Sequence, residues 1–294
     1  MTIVAVPNVS IGSDSQVIHD LAIAIRSSGA AVVLDTHSDA VHDRSVFTVV
    51  DPTGAPVEAM VALAQASLHL DLTSHRGVHP RTGVLDVCPF VPHEQTIVSA
   101  VEAARTTGSL IAERTGMPVY LYGEAAIRSP KPTLPDIRRG GLAELQRRAA
   151  AGFAPDFGGP RIDDRFGVVC VGARSTLIAF NVWVRCELEV ARSIAARVRQ
   201  SSGGLPGVRS LGLLIEPPTT CQVSLNLTAP EATGIETAFG AVADHTQELG
   251  ATIIATELIG LVPRRFLPAP GAQATRLLRE PGRSLEAALA EAGI

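Results

Sequence analysis

The stretch "SHRGVHPRTGVLDVCPF", residues 74–90, places two histidines, two arginines and an aspartate among glycines and prolines. His75 and His79 have the spacing of two zinc ligands on one helix, for which the full pattern is H-E-x-x-H. Arg76 occupies the glutamate position, and Pro80 pushes the residue before it towards an extended conformation rather than a helix. The spacing therefore does not indicate a metal site.

His79 remains a candidate for acid/base chemistry. Its X-Pro bond holds it at the entrance of a predicted strand, and Arg81 follows in a glycine-flanked turn. The ordinary pKa of histidine, about 6.5, suits a residue that takes up and delivers protons near neutrality. The same residues are also compatible with a solvated loop in which Arg81 caps carboxyl groups. The sequence contains no G-x-S-x-G, dinucleotide-binding or P-loop pattern.

Composition bounds the class of protein. The 294 residues are 46% hydrophobic and 18% charged, which is enough for one large or two medium domains. With 29 acidic and 25 basic residues and no basic stripe, the chain is not predicted to bind nucleic acid. No window reaches the roughly 18 apolar residues that a membrane helix needs, and a signal peptide is not evident. We expect a cytoplasmic protein without a membrane partner.

Hydrophobic period and turn residues predict alternating strands and helices in the first half of the chain. The predicted strands are 2–7, 30–36, 44–50, 84–91 and 118–122, and the predicted helices are 14–28, 55–72 and 93–115. Residues 37–43, "HSDAVHD", are polar and are predicted to form a loop.

The second half has the order strand, helix, strand, strand, helix, strand. The strands are predicted at 176–184, 208–215, 221–228 and 251–258, and the helices at 187–201 and 231–249. This is the order of a ferredoxin-like unit, and the first half matches it through residue 91. The sequence therefore predicts an α+β fold of two ferredoxin-like subdomains side by side, with a ligand groove between them.

Residues 128–167 are rich in proline, glycine and charge, and are predicted to form a connector with one short helix near 136–150. A long irregular stretch in a compact protein usually has a function. We place the N-terminal subdomain, with this connector, at residues 1–167. The C-terminal subdomain is placed at 168–294 and ends in a tail with a short helix at about 284–292.

Seven segments, taken in order, match a known family. They are "VPNVSIG", "RSVFT", "HRGVHPRTGVLDVCPFVP", "PVYLYGEAA", "APDFG", "VGARSTLIAFNV" and "TELIGLVPRR", and they span about residues 3–265. By these motifs the chain resembles the formiminotransferase domain of the glutamate formimidoyltransferase family.

The resemblance implies an enzyme that transfers a formimino group from N-formimino-L-glutamate to N5 of tetrahydrofolate in histidine degradation. It also implies two α/β subdomains with folate, the co-substrate, in the groove between them, and a homodimer. Because a cyclodeaminase domain follows on the same chain in animals, a separate cyclodeaminase is expected here. The predicted partners are otherwise small molecules, folate and formiminoglutamate or a similar amidine.

By the family pattern, the second histidine of "HRGVHPR", His79, is the catalytic one. In the implied reaction it takes a proton from the attacking amine and delivers one to the leaving amine. A carboxylate that holds the amidinium is predicted among Glu124, Asp35 and Asp86. Each of these can equally cap the end of a strand.

Two sets of binding residues are predicted. Both substrates are anions, so arginine clamps are expected, at positions inside the matched motifs. The predicted substrate-binding residues are Arg81, Arg44, Arg174 and His37. The folate-contacting segment of the family maps onto residues 158–167, and the predicted folate-binding residues are Gly158, Gly159, Arg161, Arg165, Gly167, Asn8 and Asn181. The two arginines of this segment can instead pair with neighbouring aspartates, and the asparagines can serve in turns or caps.

The chain departs from the family pattern at four positions near these motifs. Val9 and Ile11 replace phenylalanine and glutamate, Val78 replaces the glutamate before His79, and Asp43 replaces an asparagine. An apolar neighbour lowers the pKa of a histidine, whereas a carboxylate raises it. A folate-dependent transferase with another donor or acceptor, such as formiminoglycine, a specialised amine or 5-formyltetrahydrofolate, is therefore an alternative. A folate-binding protein without turnover is a third.

Overall fold

A computed structural model describes residues 2–294, and the chain divides between Arg174 and Ser175 into two compact units. Each unit contains its own sheet and its own buried cluster of apolar side chains. The α+β class predicted from the sequence is confirmed. The groove predicted between the subdomains stays a prediction.

The first unit contains seven strands and five α-helices in the described part of the chain. The strands are β1 (Thr2–Ala5), β2 (Asn8–Val9), β3 (Val32–Asp39), β4 (Arg44–Val50), β5 (Leu85–His93), β6 (Val119–Gly123) and β7 (Val169–Ala173). The helices are α1 (Ser15–Arg26), α2 (Val57–Ser67), α3 (Ile97–Thr115), α4 (Leu134–Arg138) and α5 (Gly141–Ala150).

The first sheet combines a ferredoxin-like core with an extension. Strands β1 and β2 both pair with β4 and β5 in antiparallel register, and β3 pairs with β4, which is the expected arrangement of a βαββαβ unit. Beyond β5 the sheet continues with β7 and then β6, and both of these pairings are parallel. Strands β5, β7 and β6 therefore begin at the same edge of the sheet.

Helices cover both faces of this sheet. On one face α1, α2 and α3 bury a large cluster that includes Phe47, Met60 and Phe90. On the other face α4 and α5 bury Tyr120, Ile137 and their neighbours against β5, β6 and β7. The segment predicted as a connector thus packs on the sheet as two helices rather than one.

Local sequence explains where these helices begin and end. The side chain of Asp14 caps α1 by accepting from the backbone N–H groups of Gln16 and Val17. Thr133 and Asp136 form a reciprocal capping box at the start of α4. Helix α3 ends at Gly116, whose φ of 72° lies in the left-handed region that favours glycine.

The second unit contains the predicted ferredoxin-like order. Its strands are β8 (Ile178–Arg185), β9 (Val208–Glu216), β10 (Thr220–Leu227) and β11 (Thr252–Ile259), and its helices are α6 (Leu188–Val198), α7 (Ile235–Glu248), α8 (Gln273–Arg276) and α9 (Leu285–Glu291). The sheet order is β11-β8-β10-β9, with every pairing antiparallel. Alternate side chains, such as Phe180, Val182 and Val223, belong to one buried cluster with Ile194 and Phe239 of α6 and α7.

Three details differ from the sequence predictions. Strand β3 continues through Asp39, so residues 37–39 are not part of a loop; they stay paired with Arg44 to Val46 on β4. Strand β7 was not predicted at all. Because β7 pairs with β5 and β6, the first unit ends at Arg174, seven residues after the predicted division at 167.

Among residues 2–294, no helix combines the length and the apolar character required to cross a membrane.

Candidate active site

The loop that precedes β5 is held in place by hydrogen bonds to backbone carbonyl groups. The guanidinium of Arg81 donates to the carbonyl oxygen of His79 from Nε, at 3.1 Å, and from a terminal nitrogen, at 2.9 Å, and it also contacts the carbonyl of Gly77. The backbone N–H of Val78 donates to the carbonyl of Val41 at 3.2 Å. Arg81, predicted as a substrate clamp, is therefore engaged in shaping the loop that presents His79.

His75 has a structural environment. Its Nδ1 accepts from the backbone N–H of Gly77 at 3.0 Å, so the ring proton lies on Nε2, which donates to the carbonyl oxygen of Asp43 at 2.7 Å. A side chain at Gly77 would place a Cβ only 2.0 Å from the carbonyl oxygen of His42, so this position requires glycine. In the part of the chain that the structure describes, no group of three or more potential ligands is placed to hold a metal ion.

The partly buried ring of His79 lies between a donor and an acceptor. Its Nδ1 is 2.8 Å from the carbonyl oxygen of Pro80 and 3.2 Å from a terminal nitrogen of Arg44. A carbonyl only accepts and a guanidinium only donates, so the shorter contact assigns the proton to Nδ1. Nε2 then carries the lone pair and is the atom that can accept a proton. The ring of His42 stands edge-on to this imidazole, with 5.9 Å between the ring centroids.

Arg44 connects His79 to a buried carboxylate. The terminal nitrogen that faces His79 also donates to Oδ2 of Asp86 at 2.8 Å, and Nε donates to Oδ1 of Asn8 at 2.9 Å. Arg138 of α4 contacts the same oxygen of Asp86. Four side chains, those of His79, Arg44, Asp86 and Arg138, therefore form one continuous chain of contacts, which we call the His79 network.

A β-bulge takes Asp86 out of the regular alternation of β5. Asn8 pairs with Val87 and Val9 pairs with Leu85, so Asp86 has no partner residue on β2. Its other carboxylate oxygen accepts from the backbone N–H and the hydroxyl of Thr82, at 2.9 and 3.3 Å. The bulge thus presents a fully buried carboxylate to groups that all donate to it.

The charges of the network act on the pKa values within it. Burial is the main cause that lowers the pKa of His79 well below its ordinary value, and Arg44 and Arg138 lower it further, while Asp86 opposes them. Burial by itself would raise the pKa of Asp86, but Arg138, Arg44 and the hydrogen bonds outweigh burial and hold this pKa below the ordinary value. At neutral pH the site therefore combines a neutral imidazole with an ionised carboxylate.

A cavity of about 350 Å³ lies at the edge of the first sheet where β6 and β7 begin. Gly158, Arg161 and Gly167 line it, together with residues 115–118 and with Asp163 and Phe166. Gly167 forms an isolated bridge with Gly83, next to the turn that follows His79. The predicted folate segment and the loop of His79 are thus at the same edge of the sheet.

This cavity fits a small organic ligand. Its volume falls within the range of roughly 300–1,000 Å³ that is usual for ligand pockets. At Gly167, where φ is +67°, a Cβ would lie 2.0 Å from the carbonyl oxygen of Thr82, so backbone lines the cavity closely there. Arg161, together with the backbone around the glycines, supplies donors for a ligand that carries carboxylates or ring nitrogens.

Three further predicted site residues are Glu124, Asp35 and His37. Glu124 forms an ion pair with Lys131 at 2.6 Å on the surface, and its carboxylate makes no contact with the His79 network. Asp35 and His37 lie on β3, in register with Thr48 and Val46. Asp86 contacts Arg44, which faces His79, and the roles predicted for Glu124, Asp35 and His37 stay predictions.

The remaining predicted residues are divided between the two units. Arg165 pairs with Asp71 at 3.1 Å, and Gly159 adopts a φ of +78° beside the cavity without lining it. Arg174 follows β7 directly. Asn181 lies on β8 of the second unit, where its amide donates to Glu257 at 3.1 Å. The roles predicted for these residues stay predictions.

Two members of the site were missed from the sequence. Arg138 reaches Asp86 across 52 positions of the chain, and nothing in its local sequence distinguishes it from Arg139 beside it. His42, whose ring packs on His79, lies in the segment that was predicted to be a polar loop. Its spacing to the other histidines carried no recognisable pattern.

Comparison with known proteins places this chain in a family. Residues 2–174 match the model of the formiminotransferase domain, N-terminal subdomain, and residues 179–273 match the model of the formiminotransferase domain. The glutamate formimidoyltransferase of Streptococcus pyogenes serotype M1 is 35% identical over 266 residues, which cover 89% of each chain. That of Thermoplasma acidophilum is 36% identical over 268 residues, covering 89% of this chain and 88% of the relative.

Longer relatives match over part of their length. The formimidoyltransferase-cyclodeaminase of Gallus gallus is 35% identical over 271 residues, which are 89% of this chain and 50% of the relative. The chain therefore spans about half the length of such bifunctional relatives. The resemblance drawn from the motifs and the predicted class, a transferase enzyme, are confirmed by these matches, and the chain belongs to the formiminotransferase family.

Proposed function

We propose that the protein transfers a formimino group from N-formimino-L-glutamate to N5 of tetrahydrofolate, with His79 as the general acid/base. Two observations support this. The names of the microbial relatives specify glutamate formimidoyltransferase. The observation that carries the proposal is the position of His79, whose Nδ1 contacts Pro80 and Arg44, at the sheet edge that also contains the cavity.

The residues of the chain divide the chemistry as follows. Bound tetrahydrofolate would supply the amine that accepts the formimino group. Nε2 of His79 takes the proton that this amine loses as it bonds to the formimino carbon. His79 then returns the same proton to the glutamate nitrogen as the bond from that nitrogen to the formimino carbon breaks, so that glutamate leaves as a neutral amine. Proton transfer of this kind contributes typically about 10²–10⁴ in rate. The low pKa of His79 keeps Nε2 unprotonated and ready to act at neutral pH.

Residues that line the cavity are proposed to bind folate. Gly158 and Gly167 let the backbone approach the ligand, and Arg161 offers its guanidinium to a carboxylate. The proposal extends to the expected homodimer and to a cytoplasmic location. A separate cyclodeaminase partner is supported by relatives in which both names belong to one chain.

The test is an assay with purified protein, tetrahydrofolate and formiminoglutamate, followed by the absorbance of the 5-formimino or 5,10-methenyl product. We expect turnover in the wild type and a loss of about 10²-fold or more in His79→Gln, with folate binding retained. His69→Gln, which changes an exposed histidine of the same unit, is the matched control. Full activity in His79→Gln would refute the role of this residue.

A second candidate is a transferase of the same family with another donor. Val78, beside His79, is 43% exposed. Its backbone N–H donates a hydrogen bond to the carbonyl of Val41, which is 37% exposed. This exposed apolar pair favours a donor that places an uncharged group next to His79. Formiminoglycine and 5-formyltetrahydrofolate should be compared with formiminoglutamate in the same assay. Turnover of one of these at a kcat/KM at least tenfold above that of formiminoglutamate would select this candidate. Folate binding without turnover of any donor would indicate a binding protein.

A further inference from the structure

We propose that Asp86 is a positioning residue for His79: it engages the Arg44 guanidinium, so that the His79 Nδ1 proton is shared with Pro80 and Nε2 remains the proton-accepting atom. This inference deepens the proposed function, since it rests on proton transfer by His79. Its first readout, however, is the tautomer of the free protein, which does not require turnover.

The carboxylate of Asp86 is placed to engage arginine donors. The side chain is 0% exposed, and one of its oxygens faces both Arg44, at 2.8 Å, and Arg138. The other oxygen accepts from the backbone and the hydroxyl of Thr82. Since every neighbour donates, the ionised form satisfies all of them, and a neutral side chain here would not.

Arg44 transmits this arrangement to His79. The same terminal nitrogen of Arg44 is 2.8 Å from Asp86 and 3.2 Å from Nδ1 of His79, and it carries two hydrogens, so its bond to Asp86 sets where the second hydrogen points. A carboxylate is the stronger acceptor because its hydrogen bond is charge-assisted. When Asp86 takes the donor, the proton of His79 stays on Nδ1 and is donated to Pro80 at 2.8 Å.

Without the carboxylate, the guanidinium would be able to turn a hydrogen towards His79. The guanidinium would donate into Nδ1, which must then be unprotonated, and the ring proton would move to Nε2. A histidine in that tautomer has no lone pair on the atom that faces away from the network. It therefore cannot accept the proton of the reacting amine.

The proposal is tested by nitrogen-15 NMR of the histidine rings in the labelled full chain without substrate. The resonances of His79 are assigned by their loss in His79→Gln. We expect the Nδ1–H tautomer in the wild type and a majority of the Nε2–H tautomer in Asp86→Asn. A wild type that is already in the Nε2–H form, or an Asp86→Asn variant that keeps the Nδ1–H form, would overturn the proposal.

Asp156 supplies a matched control. Its side chain is 3% exposed, pairs with Arg128 at 2.7 Å and accepts from the backbone N–H of Leu121, which resembles the surroundings of Asp86. Asp156→Asn removes a comparable buried charge away from the His79 network. It should therefore leave the tautomer of His79 unchanged, and a changed tautomer would mean that general loss of stability explains the effect.

A double variant keeps the test independent of folding defects in Asp86→Asn. Arg44→Met together with Asp86→Asn removes one of the two guanidinium charges that the single variant leaves without a carboxylate, so it should be better tolerated than Asp86→Asn alone. In Arg44→Met combined with Asp86→Asn the guanidinium that faces Nδ1 is gone, so we expect the Nδ1–H tautomer to return. Persistence of the Nε2–H form in this double variant would contradict the role of Arg44.

Kinetics give the second readout. If the proposed function holds, kcat should fall by about 10²-fold or more in Asp86→Asn, in line with loss of a general base, while KM changes by less than about threefold. Loss of activity without a change of tautomer would refute the positioning role. A tautomer shift in a protein that does not use formiminoglutamate would support it and would point to another substrate.

Discussion

At His79 the chain surrounds a weak base with charges of both signs. Burial and the two arginines favour the neutral ring, and Asp86 limits this effect. The arginines themselves are neutralised in part by the carboxylate between them. The ring therefore stays neutral without an unpaired buried charge beside it, and a buried charge without a partner would be costly. This balance is what makes a histidine available as a base close to guanidinium groups.

The low pKa of His79 predicts a pH dependence of stability. The unfolded chain binds a proton at about the ordinary pKa of 6.5, whereas the folded chain resists protonation to lower pH. The unfolded state thus binds more protons in this window, and the free energy of unfolding falls as the pH drops below about 6.5, by at most about 1.4 kcal/mol per pH unit. His79→Gln should show a smaller decline between pH 7 and pH 5 in urea titrations at constant ionic strength. An unchanged slope in this variant would exclude His79 as the source.

Asp43 carries a second testable local role. Its φ is +45°, in a region where aspartate and asparagine are tolerated better than most residues. One carboxylate oxygen accepts from the backbone N–H groups of Gly12 and Ser13 and from the hydroxyl of Ser13, at 2.8 to 3.2 Å. Asp43→Ala loses these bonds and keeps the strained backbone, so we expect it to lower the free energy of unfolding by about 2–4 kcal/mol. Asp43→Asn should lose about 1 kcal/mol or less, because its side-chain oxygen can still accept. Equal losses in the two variants, measured in urea, would contradict this account.

At the scale of the elements, periodicity predicted the strands that alternate. Strand β10 buries Val223, Leu225 and Leu227 and leaves Ser224 and Asn226 on the other face, which is a clear period of two. Strand β7 is buried on both faces between two parallel neighbours, so it has no alternation, and no strand was predicted there. Strand β3 continues into polar residues because its pairing with β4 continues.

The site itself was predicted only in part, for a related reason. His79 stood out because its motif is local in sequence. Asp86 was one of three equivalent carboxylates, and its contact with Arg44 lies beside a bulge on β5 that the sequence does not reveal. Arg138 reaches Asp86 from a helix in the connector, and a contact over this sequence distance leaves no periodic signal. Long-range contacts of this kind become visible only once the sheet order is known.

Gly167 ends the predicted folate segment just before β7, and adding one methyl group there should lower the free energy of unfolding strongly. In Gly167→Ala the added Cβ would meet the carbonyl oxygen of Thr82 at 2.0 Å, and φ is +67°. We expect a loss of about 3–5 kcal/mol, from overpacking together with the left-handed backbone. Gly116→Ala is the control: its φ is +72°, but nothing lies within 4 Å of the added atom, so only about 1–2 kcal/mol should be lost. Similar urea midpoints for the two variants would show that the close contact is relieved by a small movement.

At the scale of the whole molecule, the two units use one strand order in different ways. The second unit is a four-stranded antiparallel sheet with helices α6 and α7 packed into its core. The first unit has the same core order but adds β7 and β6 in parallel, and the helices of the connector cover the additional surface. The four side chains of the His79 network all belong to the first unit, on elements that include this extension.

The extension therefore predicts which fragment of the chain can fold. A fragment of residues 1–174 contains both clusters of the first unit, and we expect a cooperative urea transition by circular dichroism together with the Nδ1–H tautomer of His79. A fragment of residues 1–167 lacks β7, which lies between β5 and β6 and whose Val169 and Val171 are fully buried. Each such side chain contributes about 1.5–3 kcal/mol on burial, and without β7 the strand β6 has no partner in the sheet. The shorter fragment should accordingly lose the cooperative transition. Equal transitions in the two fragments would mean that β7 is dispensable, and the unit would then end where its sequence had suggested, at residue 167.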